Sequence, residues 1–151
     1  MRNFNLQKSR LTALFGDRAD AIEVIDISDN DTIADISPLN ALNKTHKFHS
    51  FIASNTCLNN YLLNQLDLYN LFSDLTTLDF TGNVSILDYS FFNKLFVIAK
   101  NLKVLNISKM QALQSQINTI DFSTLPKTVT HLDISGNNNI IEFVFLNAAF
   151  A

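Results

Sequence analysis

A nine-residue spelling returns along this chain at a fixed step, and the step restricts what the chain can fold into. Leu75-Thr76-Thr77-Leu78-Asp79-Phe80-Thr81-Gly82-Asn83 is apolar at positions one, four and six and carries Asn at position nine. The same spelling starts at Leu102 and at Val129, each 27 residues further on, and an earlier copy runs from Ile22 to Asn30. Alternate residues of a strand face opposite sides. Positions four and six therefore share one face, and together with the apolar position one they are expected to point into a core, with the positions between them pointing away. Asn at position nine puts a donor and acceptors on a short side chain, able to satisfy backbone groups in a buried turn. A unit of this size cannot bury its apolar face alone and has to stack on its neighbours.

The copies are not equally clean. A 27-residue step back from Leu75 lands on Phe48 and sets Phe48, Phe51 and Ala53 inward. Asn55 and Leu58 repeat the spacing of Asn83 and Ile86 one residue early, so two registers stay open over residues 47–58. A slip of one residue would exchange the two strand faces. In the fourth copy Met110 stands where Asn is expected, which predicts a local break in the column of Asn side chains.

Between strands, Pro38 to Leu42 reads as a short helix with Ser37 as its cap. Leu58, Leu62, Leu66 and Tyr69 recur at helical spacing and predict the best-formed helix over residues 58–72. Ile86, Phe91 or Phe92, Leu95 and Ile98 are core candidates in the third copy, and Leu113, Ile117, Ile120, Phe122 and Leu125 in the fourth. Ile140, Phe143, Leu146 and Phe150 are core candidates in the fifth. Thirteen Phe and no Trp make Phe the filler of the larger gaps. Residues 1–21 do not match the spelling and are expected to cap the first strand, with residues 147–151 forming the C-terminal end.

These motifs resemble the leucine-rich-repeat family over roughly residues 22–146, as about five repeats starting near 22, 48, 75, 102 and 129. The resemblance implies an α/β solenoid. This would be a horseshoe with a parallel sheet on the concave face and helices or irregular segments on the convex face. Leu125-Pro126 ahead of Val129 is similar to the Leu-Pro-x-x-Leu spelling of bacterial effector repeats. Nineteen Asn, abundant Phe and a single Cys add a resemblance to leucine-rich-repeat effectors of intracellular bacteria such as Legionella. What this implies is a protein-binding module without enzymatic activity, cytoplasmic or secreted into a host cytosol. Its concave face would dock a host factor or another effector, recruiting it or occluding it as an inhibitor. The alternative is the targeting half of a larger effector enzyme.

Composition narrows the partners. A net charge of −3 gives no excess of Lys and Arg to neutralise phosphates, which argues against nucleic acid. No run of about 20 apolar residues is present, so no membrane span is expected, and the N-terminus lacks the apolar run of a signal peptide. Cys57 is the single cysteine, so no internal disulfide can form, and a buried thiol is expected there. The sequons at Asn30, Asn83 and Asn106 sit where a glycan would clash with the repeat.

The outward positions supply the candidate binding residues. They are Glu23, Asp26, Thr76, Asp79, Thr81, Lys103, Asn106, Ser108, His131, Asp133 and Ser135. They form columns, of which Asp26, Asp79, Asn106 and Asp133 make an acidic stripe. Five outward positions on five strands give about 25 residues, the size of one side of a standard protein interface. Substitutions at Asp79, Asn106 and Asp133 are expected to weaken binding without unfolding the chain. No cofactor or metal is expected. Asp29-Asn30-Asp31 lacks the Gly and closing Glu of a calcium loop, His46 and His49 lack a partner at ligand spacing, and no nucleophile stands in a recognisable setting.

Overall fold

A computed structural model describes residues 22–42 and 48–149. The cap expected over residues 1–21, His46, and Phe150 lie outside them. Among the described residues five strands, β1 (Val24–Asp26), β2 (Ser50–Ile52), β3 (Thr77–Asp79), β4 (Val104–Asn106) and β5 (His131–Asp133), form one sheet in chain order. All four pairings are parallel. The architecture is α/β, with helical segments between the strands and one after the last: a 3-10 turn (Ser37–Ala41), α1 (Asn60–Leu63), α2 (Leu68–Phe72), α3 (Ser90–Ile98), α4 (Gln114–Ile117), a second 3-10 turn (Phe122–Thr124) and α5 (Phe145–Ala149).

The pairing register resolves the doubtful second copy. Ser50 pairs with Thr77 and Thr77 with Val104, so the 27-residue step holds and Phe48, Phe51 and Ala53 are buried. Asn55 is not the position-nine residue. It lies in the column of Asp29, Gly82, Lys109 and Gly136, all of which have positive φ. Asn tolerates the left-handed region better than most residues, and this preference put an Asn one place early. Thr56 occupies position nine and is fully buried.

The inward positions make a continuous core in which phenylalanine rings run from repeat to repeat. Phe51 meets Phe80 edge-on at 5.8 Å, Phe80 packs on Phe92 at 6.4 Å, Phe96 on Phe122 at 6.3 Å, and Phe122 on Phe145 at 5.0 Å. Such offset and edge contacts are the favoured aromatic geometries.

Several expectations need correction. The long helix predicted over residues 58–72 is two short ones, because Asp67 caps a new start by accepting from the Asn70 N–H. Among the described residues the longest helix is α3 instead. Ser37 is the first residue of its 3-10 turn rather than its cap, its N–H donating to Asp35. Leu113 is exposed and Ala112 takes its place in the core; Phe96 is buried where Ile98 is only half-buried; Phe143 is exposed.

The repeats alternate between two kinds, a feature absent from the nine-residue spelling. The first, third and fifth carry Asn at position nine (Asn30, Asn83, Asn137), and the second and fourth carry Thr56 and Met110. Each even repeat is closed by the Asn that follows it. The Oδ1 of Asn83 accepts from the N–H groups of Thr56 and Leu58, and that of Asn137 from Met110 and Ala112. To aim two N–H groups at one oxygen, the residue between them turns left-handed, and Cys57 and Gln111 both have φ of 56°. Met110 therefore leaves no gap in the ladder; Asn137 serves its turn.

A second set of amides on the connecting segments alternates in the same way. In odd repeats, Asn40 accepts from the Asp67 N–H and donates to Gln65 O, and Asn93 accepts from the Asp121 N–H and donates to Thr119 O. In even repeats, Asn60 accepts from the N–H groups of Leu87 and Asp88, and Gln114 from those of Ile141 and Glu142. The true structural period downstream of the second repeat is thus two repeats, as in the step of 54 from Asn60 to Gln114.

Candidate functional site

The register brings the outward positions of all five strands side by side. Position two is the column Glu23, His49, Thr76, Lys103, Thr130, and position three is Val24, Ser50, Thr77, Val104, His131. Position five is Asp26, Ile52, Asp79, Asn106, Asp133, and position seven is Ser28, Ser54, Thr81, Ser108, Ser135. The candidates named from sequence are therefore brought together on one face. His49, Ser50, Ile52 and Ser54 join them. Sequence reasoning missed these four because it left the register of β2 open, and the left-handed preference of Asn55 was the signal that fixes it.

The acidic stripe does structural work. Asp26, Asp79, Asn106 and Asp133 each accept a hydrogen bond from the backbone N–H two residues on, at Ser28, Thr81, Ser108 and Ser135, over 2.9–3.0 Å. The strand ends at this point, and the side chain satisfies an N–H at the start of the turn. Ile52 cannot do so, and the Ser54 N–H turns instead to the hydroxyl of Ser28 at 3.2 Å. Asn106 also reaches across to Asp79 at 3.4 Å. Substitutions at Asp79, Asn106 and Asp133 thus act on the fold as well as on the face.

Other members differ in accessibility. Ser108 is 3% exposed and its hydroxyl is 3.2 Å from that of Thr81, so it is not part of the accessible face. Thr76 and Thr130 donate their hydroxyls to the carbonyls of His49 and Lys103. Glu23, Lys103, His131, Asp133 and Ser135 are exposed. Glu23 and His49 approach at 3.9 Å with the Glu23 side chain largely and the His49 side chain partly in solvent, where such a pair contributes little to stability. His131 Nδ1 lies 2.9 Å from the Thr130 hydroxyl.

The residues considered for other chemistry are mostly engaged by the fold. Asn30 is buried and its Nδ2 donates to Ile27 O and Ser28 O, holding the side chain within its own turn. No group of three His, Cys, Asp or Glu poised for a metal occurs among the described residues. Cys57 is exposed, against the expectation of a buried thiol, because its left-handed backbone turns the side chain outward while the flanking N–H groups point at Asn83. No helix among the described residues is long and apolar enough to cross a membrane.

Beyond the strand face, Asp88 sits at the start of α3, where the backbone N–H and then the hydroxyl of Ser90 hold its carboxyl below the usual carboxylate range. That is a capping role. Comparisons with family models, curated proteins and solved structures found no match for this chain.

Proposed function

We propose that the chain is a leucine-rich-repeat binding module, an α/β solenoid that docks a partner protein on the outward face of its sheet. The observation that supports this most is the in-register alignment of like positions on five parallel strands. It gathers Glu23, His49, Thr76, Lys103, Thr130 and His131 into one polar surface of mixed charge with a few apolar side chains, Val24 and Val104 among them. A sheet held by backbone pairing loses little freedom on docking, so the contacts made are not spent on ordering the binder. On this reading the module is a secreted bacterial effector without enzymatic activity, and the bound partner is a host or bacterial protein whose working surface it covers.

The test uses residues that face outward without holding the backbone. A Glu23→Arg, Lys103→Glu, His131→Glu variant should keep the wild-type circular dichroism and thermal midpoint. Protein captured by the wild type from host-cell lysate, identified and repurified, should bind this variant at least tenfold more weakly. Equal affinity for both would remove the strand face from the binding site.

A further inference from the structure

The alternation of repeats makes a statement about the open end of the sheet. At β5 the inward residues Val129, Leu132 and Ile134 are only half-buried, whereas their counterparts Leu102, Leu105 and Ile107 are buried. An open groove at this end is lined by Leu132, Ile134, Ile140 and Phe143. The backbone is equally unfinished. Ile107 and Lys109 donate their N–H groups to Asp133 O and Ser135 O, but the corresponding N–H groups of Ile134 and Gly136 meet no acceptor among the described residues.

The connecting segment tells the same story with more specificity. In odd repeats a clamping amide follows the position-nine Asn by ten residues, as Asn40 follows Asn30 and Asn93 follows Asn83. Both clamp onto the even repeat that comes next. Asn147 follows Asn137 by the same ten residues. It lies in α5, it is exposed, and its side-chain amide has no partner among the described residues, its backbone N–H being bonded to Val144 O.

We propose that the free edge of β5 is a docking edge for one more repeat of the even kind. Such a repeat lacks Asn at position nine and presents, eleven residues further on, a backbone N–H to Asn147, as Asp67 follows Thr56 and Asp121 follows Met110. Docking continues the interface already used twice, between repeats one and two and between repeats three and four. The occupant is a repeat-bearing polypeptide and not a second copy of this chain. Among the described residues the sheet edges of a second copy are β1 and β5, and both belong to odd repeats. This inference stands apart from the strand-face proposal, since it rests on the edge.

Two extensions of the full chain test it. A copy of residues 98–128 placed after Ala151 completes the fifth repeat and adds an even one. A copy of 98–101 followed by 75–101 adds an odd one instead. The even extension should raise the thermal midpoint by about 3 °C or more and slow hydrogen exchange at the Ile134 and Gly136 amides at least tenfold. The odd extension should do neither. Asn147→Ala should remove part of the gain in the even-extended chain and leave the unextended midpoint unchanged. Equal protection by both extensions, or none by the even one, overturns the proposal. So does a stable dimer of the unextended chain that Ile134→Lys disperses, which would assign the edge to a second copy.

Discussion

The side-chain oxygen of Asn83 accepts both the backbone N–H of Thr56, at 3.2 Å, and its hydroxyl, at 2.9 Å, across 27 residues of chain. The same oxygen takes the N–H of Leu58 at 2.9 Å, while the amide nitrogen donates to Ala53 O and Phe80 O. All of this is buried. Removing the amide leaves the N–H groups of Thr56 and Leu58 without an acceptor, while Ala53 O keeps the Thr56 hydroxyl and Phe80 O keeps the Asn83 backbone N–H; each buried group left unpaired costs about 1–3 kcal/mol. Asn83→Ala should therefore destabilise the chain by about 3 kcal/mol or more, measured as the shift in urea midpoint at unchanged slope.

Met110 gives the opposite expectation from the one its sequence position invites. Restoring Asn there would appear to mend the repeat. In the structure the turn is already closed by Asn137, and the Met110 side chain is buried in the core cluster. An amide at that place would lose its water without gaining the turn geometry that Asn83 enjoys, because Gln111 is left-handed where Val84 is not. Met110→Asn should cost about 1–3 kcal/mol in the same titration. A stabilised variant would show that the two kinds of repeat are interchangeable.

These two residues also mark what could be read from sequence. The strand positions, the inward set and the outward columns follow from a period of two within a period of 27, and both are visible in the spelling. The alternation is not, because it depends on which neighbour supplies a hydrogen bond, and the consensus describes one repeat at a time. Asn40, Asn60, Asn93 and Gln114 lie in connecting segments where apolar spacing is irregular and nothing flags an amide as a clamp. The exposure of Leu113 follows from the same cause, since the left-handed turn at Gln111 brings Ala112 inward in its place. Likewise, Asp79 is recognisable as an outward acid, but its bond to the next turn depends on where the strand stops.

Asp79 separates charge from structure in the strand face. Its Oδ1 accepts the Thr81 N–H at 2.9 Å, a task that Asn106 performs for Ser108 with a neutral amide. Asp79→Asn keeps the acceptor and should change stability by less than about 0.5 kcal/mol. Asp79→Ala loses it and should cost about 1 kcal/mol. Binding assays with the Asn variant therefore report on charge alone. A loss of stability in Asp79→Asn equal to that in Asp79→Ala would mean that the carboxylate charge, not the acceptor, holds the turn.

Gly82 is pressed by its neighbour in the left-handed column, Asn55. Its φ is +72°, and a Cβ there would collide with the side chain of Asn55, which is itself held by a 3.1 Å bond to Asp29. Gly82→Ala should cost about 1–3 kcal/mol from backbone strain and crowding together. In an Asn55→Gly background the crowding disappears and only the strain remains. A double-mutant cycle should show a coupling of at least about 0.5 kcal/mol, and strict additivity would mean that the side chain swings aside at no cost.

Tyr89 supplies the pH dependence. It is 1% exposed, packs edge-on against Phe92 at 5.7 Å, and its hydroxyl has no hydrogen-bond partner among the described residues. Burial pushes its ionisation from 10.0 up to about 12, because the charged phenolate would have to sit in the core. The fold thus prefers the neutral phenol. That contribution to stability is intact below pH 10, where the unfolded side chain also keeps its proton, and it is lost as the pH rises towards about 12. Over that window Tyr89 should add a downward slope of at most about 1.4 kcal/mol per pH unit. Tyr89→Phe removes both the slope and the unpaired hydroxyl. Urea titrations should find the variant equal to or more stable than the wild type at pH 8, with the advantage growing between pH 10 and 11.5. A constant difference across that range would mean that the hydroxyl reaches solvent when it ionises.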